Sequence, residues 1–122
     1  MTYGSNKVKA RDLLIAAYPK IVELVNNLNI SEVERIYAKF VIGAYCYFGL
    51  GNIEKDHKMA FKIIKECAEL GHIVVIYVLG ANFYFYGNGT SVNYELADYY
   101  LNIAKENGLP RTVGLFKSRK ES

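Results

Sequence analysis

The sequence predicts an all-α protein: a short right-handed α/α solenoid of two helix-turn-helix repeats behind an N-terminal capping helix. Three observations predict it. Residues 40–51, FVIGAYCYFGLG, and residues 77–89, YVLGANFYFYGNG, share one order: an apolar residue, a glycine, a run of aromatics, then Gly-x-Gly. Ala60 and Ala97 stand 37 residues apart, and so do Gly71 and Gly108. Apolar residues recur at steps of three and four, the period of an amphipathic helix. The β-branched run Ile73-Val74-Val75-Ile76 is the one rival for a strand. It leads into a helical pattern with no turn signal between, so it is read as helix.

With 122 residues, 1–122 is expected to be a single domain. A chain of that length can bury about two-thirds of its unfolded surface. A composition of 52% hydrophobic and 22% charged residues excludes an intrinsically disordered class. Eleven Tyr and no Trp supply large apolar bodies with polar tips, suited to half-buried seams and contact surfaces.

The capping helix is expected over 7–30, with Leu14, Tyr18, Ile21, Val25 and Leu28 on one face. Pro19 falls inside it and predicts a kink or a break into two short helices. Ser31-Glu32-Val33-Glu34 is a capping box that opens a helix from about Glu32 to Phe48, closed by Gly49-Leu50-Gly51-Asn52. Asp56 caps the next helix, which stops at Gly71, so repeat one covers 32–71. Repeat two covers 72–108: a long helix through Tyr77 to Tyr86, a Gly87-Asn88-Gly89 break, then a helix capped by Asn93 and ended by Gly108. Pro110 suits the first turn of a last short helix, 109–118.

Ile42-Gly43, Gly49-x-Gly51, Asp56, Ala60 and Glu69-Leu70-Gly71 form one copy. Leu79-Gly80, Gly87-x-Gly89, Asn93, Ala97 and Glu106-Asn107-Gly108 form the other. This order resembles the Sel-one-like repeat, a helix-turn-helix unit related to the tetratricopeptide repeat, over about Val33 to Gly108. The pattern departs from the family's at Asn93, where the family has aspartate. It also carries one extra residue between Gly51 and Asp56 and another between Gly80 and Gly87. A loop around the glycine turn is expected to absorb the drift. The resemblance implies an adaptor or regulatory role as a protein-protein interaction module.

In such solenoids the first helix of each pair lines the concave face. That places Tyr37, Lys39, Val41 and Tyr45 from the first copy, with Val74, Ile76, Val78, Asn82 and Tyr86 from the second, as candidate partner-binding residues. The competing expectation is that the apolar ones are core. Tyr45, Tyr47, Tyr84 and Tyr86 are read first as seam packing. The occupant would be a partner protein or a second copy of the chain, and a small inhibitor or immunity-type protein that blocks one functional surface is the alternative role.

Enzymatic, cofactor and metal chemistry find no pattern. Cys46, Cys67, His57 and His72 have neither zinc-ligand spacing nor a nucleophile elbow, and two cysteines inside apolar helices read as buried free thiols. Both histidines are expected to face solvent. Gly87-Asn88-Gly89-Thr90 lacks the lysine and hydroxyl of a phosphate loop. The net charge of +3 gathers at the ends, in Lys7, Lys9, Arg11, Arg111, Lys117, Arg119 and Lys120, which reads first as solubilising tails; a nucleic-acid-binding protein using Tyr residues and these terminal basic residues is the rival reading from another class. The N-terminal residues MTYGSNKVKARD lack a signal layout, and the apolar stretch Ile73 to Tyr86 is too short to span a bilayer. A cytoplasmic protein without membrane association is expected.

Overall fold

A computed structural model describes residues 3–109, with side chains from residue 9 onward; the short helix expected over 109–118 lies outside the described residues but for Leu109. Among the described residues every regular element is helical: α1 (Tyr3–Val25), α2 (Glu32–Phe48), α3 (His57–Glu69), α4 (Ile73–Val78), a π-helical segment (Leu79–Tyr84) and α5 (Tyr94–Glu106). The chain divides into two compact units, Met1–Ile63 and Ile64–Ser122.

In the first unit α1 packs on α2. Tyr45 is buried, its hydroxyl donates to the Leu14 carbonyl at 2.8 Å, and its ring lies 5.0 Å from that of Tyr18. A buried phenol with its polar tip satisfied keeps the hydrophobic gain of the ring without a desolvation penalty. Leu14 and Tyr18 fall on one side of α1, as their spacing predicts. Pro19 does not break the helix, which runs unbroken through it. The packing of α1 on α2 outweighs the one backbone bond the proline removes.

α1 ends five residues before the expected boundary. Asn side chains compete with the backbone there: Asn26 Nδ2 donates to the Val22 carbonyl, and Asn27 Oδ1 accepts from the Asn29 amide at 2.8 Å. Leu28 therefore falls outside the helix and is exposed, not on its packed face.

α2 starts as its capping box dictates. The Glu34 amide donates to Ser31 Oγ at 3.2 Å, and Glu34 Oε1 accepts from the Ser31 amide. Its end is closed by Gly49 in the left-handed region, φ 67°.

The second unit is built on the packing of α4 and the π segment against α5. Val75, Leu79, Ala97, Leu101 and Ala104 are fully buried, with Phe83 nearly so. Gly80 is what allows the approach: a Cβ there would stand 3.1 Å from the Ala97 carbonyl oxygen and 3.1 Å from Leu101 Cγ. Tyr84 stacks on Tyr100 at 5.8 Å and 6°.

The two glycine turns use one hydrogen-bond frame. The Gly49 and Leu50 amides both donate to the Tyr45 carbonyl, at 2.8 and 3.0 Å, and the Asp56 amide donates to the Cys46 carbonyl at 2.7 Å. Thirty-eight residues on, the Gly87 and Asn88 amides both donate to the Phe83 carbonyl, at 2.8 and 3.2 Å. The Asn93 amide donates to the Tyr84 carbonyl at 2.9 Å. The caps that follow also match. Asp56 Oδ1 accepts from the Met59 amide and Asn93 Oδ1 from the Leu96 amide, each at 3.0 Å. Aspartate and asparagine serve this position equally well, because either offers one acceptor to a bare helix-start amide.

One expectation about the drift between copies needs correcting. The extra residue between Gly80 and Gly87 is absorbed inside the helix, not in the turn. α4 gives way at Leu79 to a π segment in which the Phe85 amide reaches back five residues to the Gly80 carbonyl, at 3.1 Å. A π turn is an α-helix with one residue inserted. Asn88 Nδ2 donates to the Asn82 carbonyl at 2.8 Å, bringing a side chain to a carbonyl of the widened segment. Leu50 occupies the matching position beside the regular α2, where no such donor is called for.

Candidate partner-binding face

Each unit carries a candidate line of its own, on the first helix of its copy. In α2 the line Val33, Tyr37, Val41, Phe48 follows the helical period and is open to solvent along its length. In the second unit the line Val74, Val78, Asn82, Tyr86 runs at steps of four from α4 through the π segment. At two positions the lines agree: Tyr37 is 43% exposed and Val74 40%, and Phe48 is 62% and Tyr86 60%; at a third they differ, Val41 being exposed and Val78 half-buried. Large apolar side chains at equivalent open positions in both copies are not what solvation or helix propensity selects.

Of the residues the sequence proposed, Tyr37, Val41, Val74 and Tyr86 are exposed, while Lys39, Val78 and Asn82 are half-buried. Tyr45 and Ile76 are corrections, since both are buried. Tyr45 sits one step off the open line, turned toward α1 with its hydroxyl on Leu14. Ile76 lies two residues past Val74, on the opposite side of the helix, and belongs to the core. Val33 and Phe48 were missed: each stands on the same line of α2 as residues already chosen, Val33 one turn earlier and Phe48 two turns later, and helical spacing alone would have found them.

The remaining polar groups have structural settings. Cys46 and Cys67 are free and buried. Burial pushes the Cys46 thiol up from its ordinary value, and the Asp56 carboxylate adds to the effect, so it stays protonated at neutral pH. His57 does not face solvent as expected: it is half-buried and stacks on Tyr47 at 4.7 Å and 19°, its Nε2 3.2 Å from the Tyr47 carbonyl. His72, at the start of α4, is half-buried as well. Burial raises the Tyr84 and Tyr100 phenols, helped at Tyr84 by the charge of Glu69, as befits a packed seam. Among the described residues no group of three or more His, Cys, Asp or Glu could hold a metal ion. None of the described helices is long and apolar enough to cross a membrane.

Compared with protein-family models, curated proteins and solved structures, the chain has no match.

Proposed function

We propose that this chain is a protein-protein interaction module: two degenerate Sel-one-like repeats, stacked as a short α/α solenoid, that bind a partner protein or a second copy through the first-helix face of each repeat. The observation that carries the reading is the pairing of open apolar residues, Tyr37 with Val74 and Phe48 with Tyr86. The fold does not need them to be apolar, because the turn frames and caps that build each helical pair lie elsewhere. Contact with another apolar surface does need them so. The Leu-Gly glycine at Gly80 and the Gly-x-Gly turns, which underlie the family resemblance, perform the close-packing and chain-reversal tasks such a repeat requires.

Site-specific photocrosslinking in the producing cells tests the reading. A photoreactive phenylalanine at Tyr37 or at Tyr86 is expected to capture the same protein, while the same group at Tyr99, equally exposed on α5, captures none of it. Equal labelling at all three positions, or none at Tyr37 and Tyr86, would sink it.

A further inference from the structure

We infer that the Asn88-Gly89 pair is a self-modification site, at which the Asn88 carboxamide is converted to a carboxylate and its bond to the π segment is lost. The inference is independent of the docking reading and needs no partner.

The chemistry uses the chain and water alone. The Gly89 main-chain nitrogen attacks Asn88 Cγ, and the new C–N bond closes a cyclic imide. The Cγ–Nδ2 bond breaks, and Nδ2 departs as ammonia, taking the proton that the Gly89 amide gives up. Water then opens the imide. Attack at Cγ returns an ordinary aspartate; attack at the main-chain carbonyl leaves an isoaspartate, with the chain routed through Cγ. Glycine suits the attacking position because no side chain crowds its nitrogen.

The chain holds two Asn-Gly pairs, Asn88-Gly89 and Asn107-Gly108, and the structure sets them apart. Asn107 closes α5 with ψ 16°, which lays the Gly108 nitrogen beside the nitrogen of Asn107 itself and away from its side chain. The Gly108 amide also donates to the Lys105 carbonyl at 3.0 Å. That nitrogen is neither aimed at the carboxamide nor ready to give up its proton. The Gly89 amide makes no hydrogen bond among the described residues, so no bond to it has to break before it attacks.

The Asn88 side chain is restrained through Nδ2, which donates to the Asn82 carbonyl at 2.8 Å. That carbonyl belongs to the π segment, where hydrogen-bond geometry is poorer than in an α-helix, and local openings release the carboxamide. After conversion the restraint cannot re-form. A carboxylate only accepts, so it would set oxygen against oxygen at Asn82. The isoaspartate product also adds a carbon to the main chain between Gly87 and Gly89, where the Gly87 and Asn88 amides share the Phe83 carbonyl. Either product loosens the turn that closes the π segment, and the change runs one way.

The test keeps the full chain folded at mildly alkaline pH for days, then maps its peptides by mass spectrometry with isoaspartyl methyltransferase labelling. The peptide carrying Asn88 is expected to convert to mixed aspartate and isoaspartate about tenfold faster than the one carrying Asn107. In urea, where neither pair is held, the two should convert at similar rates. Asn88→Asp, which supplies one product directly, should melt at a lower temperature than the parent. Equal conversion of both pairs in the folded chain, or conversion of Asn88 only in urea, overturns the site. An unchanged melting temperature in Asn88→Asp overturns the loosening of the turn.

Discussion

Replacing Phe83 by alanine lowers the unfolding free energy by about 3–5 kcal/mol. Phe83 is 1% exposed and is the largest side chain buried to that degree among the described residues. Truncating it removes the transfer free energy of an aromatic ring and leaves a cavity in the second unit's core. Stability for a domain of this size is expected to be only about 5–15 kcal/mol, so the loss is a large share of the total. Urea unfolding followed by far-ultraviolet circular dichroism measures the loss. A value below about 1 kcal/mol would mean that the neighbouring side chains close the space left by the ring.

Gly87→Ala carries the second largest effect, about 2–3 kcal/mol, from two sources that can be separated. The first is conformational: φ at Gly87 is 74°, and a non-glycine residue in that region costs about 1–2 kcal/mol. The second is steric: a Cβ there would lie 2.7 Å from Val92 Cγ2 and 3.1 Å from the Val92 amide nitrogen. Gly71→Ala is the control, because φ is 85° and nothing lies within 4 Å of the added carbon. It should show the conformational cost alone. Combining Gly87→Ala with Val92→Ala should recover part of the loss, leaving a cost close to that of the Gly71 variant. Equal losses in the two single variants would show that the turn yields and that the Val92 contact holds nothing.

Much of this architecture is written locally in the chain. The Ser31–Glu34 capping box, the left-handed glycines at 49 and 87 and the side-chain caps at Asp56 and Asn93 are each decided by three or four neighbouring residues, and the structure places them as their chemistry dictates. What was not legible depends on contacts distant in sequence. Nothing near Pro19 announces that packing on α2 keeps the helix whole. The additional residue before Gly87 was visible, but a loop and a π turn accommodate an insertion equally well by count. Packing of Gly80 on Ala97 and Leu101, upstream, and the turn frame at Phe83, downstream, fix both ends and force the residue into the helix between them.

The candidate face was legible in part for the same reason. Helical spacing identified Tyr37, Val41, Val74 and Tyr86, but it could not separate Ile76 and Tyr45 from them. Which side of a helix turns inward is decided by the partner helix, α1 in the case of Tyr45 and its bond to Leu14. His57 was misread because its stacking partner, Tyr47, lies across the glycine turn, and only the turn's geometry brings the rings together.

The central claim is that the open apolar residues serve contact and not stability. Unfolding free energy and association, measured together on the Val74→Ser, Tyr86→Ser double variant, test it most directly. Both residues are exposed, so the unfolding free energy should fall by no more than about 0.5–1 kcal/mol, while capture of the protein crosslinked at Tyr86 is lost. A fall of several kcal/mol with capture retained would contradict the claim and return these side chains to the core.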